Sequence, residues 1–373
     1  MNCNTELGKF CYLHPNWEEL LTKPPYNLII KRDADYVLFK YNQLDSDFSN
    51  SIVKEARGII FKEGSWEAPV CHPFDKFFNY GEPFCDTIDW ETACVTEKID
   101  GSLIKLWYDE NGWHVSTNGT IDAGKAEVAT GKTFLQLFIQ TLERLNINFD
   151  RTFKSLQTTD STFMFELTTP ENVVVVPHSV YNLYYLGSRN NITGKEYSFN
   201  YGVLSEIFET PKTYNLRSLE EVQKSSQELP WDEEGYVVVD SSFHRCKIKS
   251  PSYVRAHYIC GNNVITKKRL LDIILANEIF EFTLYTSDYG RTAINSVVHE
   301  MDMFKKGCND SWEQLTQLKR DFKKTYANRV KNFDSKFAPF LFAQIGPDIK
   351  VEDFTHDWTS DKWLKVIGEE LEV

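Results

Sequence analysis

The sequence predicts an α+β protein: an antiparallel-sheet domain over residues 1–255 followed by a small all-helical domain over 256–373. Two observations carry this reading. Up to about residue 255, short runs of β-branched and aromatic residues are punctuated by turn signals; beyond it, apolar residues recur at three-to-four spacing. Strands followed by helices point to an α+β unit and then a helical one. With 373 residues, 42% of them apolar, the chain is long enough to build two cores.

The strands are expected at 36–39, 58–61, 93–96, 103–108, 162–167, 173–176, 184–186 and 235–239. Glu110-Asn-Gly, Asn118-Gly and Asn190-Asn-Ile-Thr-Gly supply turns between them. One helix interrupts at roughly 125–148, where Phe134, Leu135, Phe138, Ile139 and Leu142 share a face. The tail should hold a helix over 267–283, on Leu270, Ile273 and Ile274. A second, over 311–337, rests on Trp312, Leu315, Leu318, Phe322, Val330, Phe333 and Phe337.

Composition excludes several classes. A net charge of −13 argues against a uniformly basic nucleic-acid binder, though not against a local basic groove. The eight cysteines form no C-x-x-C pair, so neither a zinc site nor a disulfide framework is expected, and reduced thiols suit a cytoplasmic setting. No basic start followed by an apolar stretch opens the chain, and no apolar run approaches the ~20 residues that cross a bilayer. The expectation is an intracellular protein with no membrane role.

The most informative motif is Glu97-Lys98-Ile99-Asp100-Gly101, at the end of the strand-forming run 93–96. A lysine nucleophile needs a rigid strand end, and Asp-Gly supplies a tight turn that exposes it. An ordinary hairpin turn reads the same way, so its companions decide. Glu166 lies in an apolar run, where an unpaired carboxylate is costly to bury. Glu234 precedes Gly235, which lets the backbone approach a ligand closely. Lys247 and Lys249 alternate on one strand face, and two adjacent ammoniums repel unless an anion lies between them. Arg57 stands beside Gly58 at a strand start, and Lys76 sits among aromatics; either suits a departing pyrophosphate. Cations gathered around Lys98 would favour its neutral, attacking amine. By contrast, Ala129-Thr-Gly131-Lys132-Thr133 is no phosphate loop, because Ala126 occupies the first glycine position.

The ordered series Arg57-Gly, Lys76-Phe-Phe-Asn, Lys98-x-Asp-Gly, Phe-x-Phe-Glu166, Glu234-Gly-Tyr-Val and Lys247-x-Lys249 resembles the ATP-dependent RNA ligases, specifically the RNA ligase 1 family of the T-even bacteriophage type. The likeness covers about residues 30–255 and includes Phe39-Lys-Tyr41-Asn42 and Asp75-Lys-Phe-Phe-Asn79. It implies a nucleotidyltransferase domain in which Lys98 becomes adenylylated. Tyr41, Arg57, Lys76, Glu97, Glu166, Glu234, Lys247 and Lys249 would contact ATP. It further implies Mg²⁺ (or Mn²⁺), associated with Glu234 and with Glu278 in the tail. RNA or phosphate contacts would come from Tyr253, Asn118 and Arg189. The partner would be RNA with 5′-phosphate and 3′-hydroxyl ends, tRNA among the candidates, and the protein a monomer, cytoplasmic and of phage or virus type.

One departure stands out: the phage enzyme has two lysines after the nucleophile turn, where this chain has Ser116 and Asn118, which puts substrate preference in question. A DNA ligase, an mRNA guanylyltransferase or a non-catalytic RNA-binding protein on the same fold remain alternatives. In the tail, Lys319, Arg320, Lys323, Lys324, Arg329, Lys331 and Lys336 have only Asp321 and Asp334 among them. They serve either folded RNA or a solvated helix face.

Overall fold

A computed structural model of the chain describes residues 3–156, 160–259, 265–286, 288–316, 323–345 and 349–371. The chain divides into two compact units, Met1–His257 and Tyr258–Val373.

The first unit is mixed α+β, built on three sheets. β1 (Ile29–Asp33), β2 (Tyr36–Lys40) and β3 (Arg57–Lys62) form a three-stranded antiparallel sheet in that order. The second sheet takes β6 (Ser102–Asp109), β7 (Gly112–Thr117), β8 (Ser161–Thr168), β9 (Asn182–Asn190) and β10 (Glu196–Ser198) in the order β10-β9-β8-β6-β7. The third takes β4 (Phe78–Asn79), β5 (Cys94–Glu97), β11 (Thr213–Tyr214), β12 (Gly235–Val239) and β13 (Arg245–Lys249) in the order β11-β5-β12-β13-β4. All pairings are antiparallel except β13 with β4.

Apolar patterning explains the layers. Along β2, residues 36–39 are buried without alternation, because both faces of that sheet are covered. Val37, Phe39, Ile59 and Phe61 pack on one side with Leu7, Trp17 and Trp66, while Leu38 and Ile60 pack on the other with Trp107. The helix Phe134–Arg144 lays Leu137, Phe138 and Leu142 on the second sheet, against Phe163, Phe165 and Leu183.

This helix is shorter than the expected 125–148. Gly131 at φ +81° stops a helix from running through it, and Thr133 with Gln136 forms a capping box that starts the first turn. Residues 173–176 are not a strand, despite four valines. The amides of Val175 and Val176 donate to the Asp100 carboxylate at 2.9 and 2.7 Å, which diverts them from any ladder.

Among the described residues, the regular structure of the second unit is all helical. Its helices include Lys267–Leu275, Ile279–Tyr285, a 29-residue helix Asp288–Thr316, Lys323–Val330 and Ser360–Ile367. Of the expected helix over 311–337, residues 311–316 belong to the helix that starts at Asp288, residues 323–330 are helical, and the chain turns after Val330. Leu318, Lys319, Arg320, Asp321 and Phe322 lie outside the described residues. Among the described residues no helix is long and apolar enough to cross a membrane.

Gly235 tests the third sheet. At φ +135°, an added Cβ would lie 2.2 Å from the Ile248 carbonyl oxygen. Gly235→Ala is expected to lower the urea midpoint by an amount equivalent to roughly 1–3 kcal/mol; a midpoint equal to wild type would show that β12 and β13 can part without loss.

Candidate active site

β5 delivers Lys98 to a site shared by all three sheets. The Lys98 amide donates to the Gly235 carbonyl at 2.7 Å, so the residue remains tied to β12 as the strand ends. Beyond Lys98 the chain forms a clasp rather than a simple hairpin turn. Asp100, 6% exposed, accepts Val175 and Val176 on one carboxylate oxygen and the Tyr253 hydroxyl, at 2.9 Å, on the other. Its carbonyl lies 2.6 Å from His178 Nε2. Gly101 fits because a Cβ there would meet the Leu167 carbonyl at 2.6 Å.

Register brings the charges together. Gly235 faces Lys249, and Val237 faces Lys247 on one side and Thr96 on the other. Glu234, 4% exposed in its side chain, therefore sits between two ammoniums: Lys98 Nζ at 2.7 Å and Lys249 Nζ at 3.4 Å. The nearest charged neighbour of Lys98 is thus a carboxylate, which the sequence reading of gathered cations did not include. Arg245, Lys247 and Lys249 share one face of β13, while Cys246 and Ile248 are buried on the other.

A cavity of about 500 Å³ opens on Lys98, Arg245 and Lys247, a size suited to a small-molecule ligand. Arg57, Lys76, Lys98, Arg245 and Lys247 line it with positive charge, Glu97 and Asp240 with negative, and Glu166 adds a carboxyl. Phe74, Phe77, Leu103, Leu186, Phe199 and Phe243 give it apolar walls. Lys76 Nζ is caged by rings, 5.2 Å from Tyr41, 5.5 Å from Phe78 and 5.6 Å from Phe48. Burial would push the Tyr41 hydroxyl up, but Lys76, Arg57 and Lys40 outweigh it and hold its pKa below the ordinary value.

Arg57 stacks 5.0 Å over Phe77, and its Nη1 is buried with no hydrogen-bond partner among the described residues; the side-chain oxygen of Asn118 is in the same condition. Both residues also line a smaller cavity of about 310 Å³ with Lys40 and Tyr41. Glu97 accepts the Lys212 amide at 3.0 Å.

Burial pushes the Glu166 carboxyl up to about 8, against the attraction of Lys98 and with Glu234 adding repulsion. The native state therefore holds a proton that the unfolded chain gives up near 4.5. Stability should fall as pH rises from about 4.5 to 8. Thermal melts of the ligand-free protein are expected to show a steeper decline across that window than melts of Glu166→Gln; parallel declines would dismiss the effect.

Two sequence-based assignments need correction. Tyr253 is 2% exposed, bound to Asp100 with Lys249 Nζ 5.6 Å over its ring, so it supports the nucleophile turn rather than presenting a surface to RNA. Arg189 is buried and committed to Asp75 at 2.8 Å and Glu196 at 2.6 Å. Ser116 is fully buried, accepting from Trp107 Nε1 at 2.9 Å and donating to the Ile121 carbonyl, which leaves nothing for a phosphate. Glu278 lies in the second unit, just before the helix Ile279–Tyr285. Among the described residues no group of three His, Cys, Asp or Glu side chains could hold a metal ion.

Sequence reasoning passed over Arg245, whose guanidinium lies 4.4 Å over Phe74 and 2.9 Å from Glu196. Alternation with Lys247 was the available signal. The Asp100 clasp had none, since its partners are more than seventy residues away.

Comparison with known proteins places this site in a family. A protein named as a bifunctional polynucleotide kinase/RNA ligase, from Autographa californica nuclear polyhedrosis virus, is 34% identical over 240 residues; the match covers 60% of this chain and 34% of that protein. The chain thus spans about a third of the length of that relative. The RNA ligase of Rhodothermus phage RM378 is 26% identical over 394 residues, covering 86% of this chain and 87% of its own. Among solved structures, an archaeal ATP-dependent RNA ligase (form 2) matches with a TM-score of 0.44 at 12% identity, over 78% of each chain, a distance at which no residue is assigned. The family model described as RNA ligase matches residues 55–253, more than half of the chain and the stretch that holds Arg57, Lys98, Glu234 and Lys249. On that match, the chain belongs to the RNA ligase family.

Proposed function

We propose that the chain is an ATP-dependent RNA ligase, working through a nucleotidyltransferase domain to join RNA 5′-phosphate and 3′-hydroxyl ends. The observation that carries this reading is Lys98 on a 500 Å³ cavity whose walls bring Arg57, Lys76 and Lys247 to it.

In the first step Lys98 Nζ attacks the α-phosphorus of ATP; the new N–P bond forms as the bond to pyrophosphate breaks. Glu234, at 2.7 Å, holds the amine in place and is the acceptor within reach of the proton it gives up. Arg57, with an unused buried N–H, and Lys76, in its aromatic cage, are placed to take charge on the departing pyrophosphate. AMP then passes from Lys98 to an RNA 5′-phosphate oxygen, and a 3′-hydroxyl displaces AMP to close the phosphodiester. Lys247 and Lys249 would neutralise the reacting phosphates.

A divalent cation, Mg²⁺ or Mn²⁺, fits as an ion carried chiefly by phosphates, with Glu166 and Glu234 as the carboxylates near it, because such ions keep few protein ligands. Bound there, it would supply neutralisation of phosphate charge. The second unit is proposed to grip RNA, tRNA being a fitting substrate; Arg329, Lys331 and Lys336 are exposed. Alanine at those three positions is expected to weaken RNA binding and flatten its salt dependence; unchanged binding would assign them to solvent. Phage and baculovirus relatives favour a virus-encoded protein acting in the cytoplasm, and we expect a monomer.

Incubation with α-labelled ATP and Mg²⁺, followed by 5′-phosphorylated RNA, tests the scheme. Label should enter the protein, move to RNA and leave as AMP. Absence of protein label removes the ligase reading. Preference for GTP would favour a guanylyltransferase, and sealing of nicked DNA alone a DNA ligase.

A further inference from the structure

Lys105 takes no part in the steps above, yet it stands directly behind Arg57. It lies in β6 at 0% exposure, and its Nζ donates to the Gly58 carbonyl. Among the described residues no carboxylate pairs with it. A Cβ built on Gly58 would lie 2.9 Å from Lys105 Nζ and 2.6 Å from the Asn118 carbonyl, so the amine packs against the Arg57-Gly58 start of β3. In register Lys105 faces Ser116 on β7 and Met164 on β8.

Two cations therefore stand one behind the other, Lys105 without a counter-charge and Arg57 with an unused buried N–H. Burying an unpaired ammonium is costly. Burial pushes Lys105 down to about 8, with Cys71 opposing and Arg57 adding to the fall. A fold carries such a charge at a loss unless an anion arrives to balance it. Ser116, opposite Lys105, is committed elsewhere, so the positive charge at this corner comes from β6 rather than β7.

We propose that Lys105 is a positioning residue for the nucleotide's polyphosphate: it fixes the Arg57-Gly58 start of β3 through the Gly58 carbonyl and adds a buried positive charge whose counter-ion is the arriving polyphosphate. This rests on reading the Lys98 cavity as an ATP site.

Glutamine at 105 keeps a donor for the Gly58 carbonyl and removes the charge; methionine removes both. Ligand-free Lys105→Gln should melt at or above the wild-type temperature, because the unbalanced ammonium is gone. At pH 7 its KM for ATP in enzyme–AMP formation should rise roughly tenfold with kcat little changed, the scale of about one pKa unit of interaction. Pyrophosphate binding in Mg²⁺, followed by calorimetry, should weaken by a similar factor. The gap between the proteins should close above about pH 9, where wild-type Lys105 is neutral. Arg57 and Cys71 are the charged and titratable groups facing Lys105, and Glu166, across the cavity, titrates in both proteins. A glutamine variant that melts well below wild type or fails to fold overturns the proposal, since the charge would then be serving the fold. So does an unchanged KM, or a KM defect that persists undiminished at pH 9.5. If wild type forms no enzyme–AMP, the ligase reading falls instead, and pyrophosphate binding still decides on Lys105.

Discussion

Alanine in place of Lys98 is expected to abolish covalent AMP transfer while leaving the fold intact. Among the described residues the neighbouring lysines are placed otherwise: Lys249 is held by Glu234 at 3.4 Å, Lys247 projects from β13, two strands away from β5, and Lys212, beside Glu97 at the end of β5, is exposed and does not line the cavity. The fold should tolerate the change because Glu234 keeps Lys249 as a partner when Lys98 is lost. A melting temperature within a few degrees of wild type, together with no label from α-labelled ATP, is the expected pair of results. Lys98→Arg sharpens the point. It retains a positive charge beside Glu234 but offers a guanidinium that does not become a neutral amine, so it too should form no adduct. Label persisting in either variant would move the nucleophile elsewhere.

The largest loss of stability is expected at Arg189. Its guanidinium donates to Asp75 and Glu196, lies 2.7 Å from His72 Nε2, and shares Glu196 with Arg245, which holds the other carboxylate oxygen at 2.9 Å. Glu196 is 6% exposed in its side chain, Asp75 45% exposed, so the cost of breaking the network falls mainly on Glu196. Burial would raise the Glu196 carboxyl; Arg245 and Arg189 outweigh it and hold it below the ordinary range. Arg189→Met should cost about 3–5 kcal/mol in urea unfolding, the scale for leaving a buried charge short of a partner. A depressed carboxyl stabilises above its unfolded pKa and ceases to do so as pH falls through its folded value. The penalty should therefore be full at pH 7 and shrink in acid. A loss under about 1 kcal/mol at pH 7 would mean that Arg245 alone suffices for Glu196. Because Arg245 also stacks on Phe74 in the cavity wall, the variant should bind ATP less tightly as well.

Local chemistry was legible in the sequence, and distant pairing was not. Alternation in 245–249 puts Lys247 and Lys249 on one face, and the apolar run at 235–239 reads directly as a strand; both follow from the period of two. Nothing in the local pattern says that Glu234 will stand between Lys98 and Lys249, because that follows from the register of β5 against the β12-β13 hairpin, which is distant from it in the chain. The valines at 173–176 show how propensity misleads. Their side chains favour a strand, but the Asp100 carboxylate takes two of their amides, and a hydrogen bond to a charged acceptor outweighs a weak preference. Arg189 illustrates the same limit from the other side: its motif position suggested phosphate, while its three-dimensional neighbours supply two carboxylates.

Tyr253 sits on the helix Pro251–Ile259, which runs across the boundary at 257/258 between the two compact units. Its hydroxyl on Asp100 means that a shortened protein intended as a minimal catalytic fragment has to extend through this helix. A fragment ending at Lys249 would retain all the charged groups around the cavity and still lose the clamp on the nucleophile's turn. Dissection of this chain therefore has its earliest safe cut after the helix, not after the last strand.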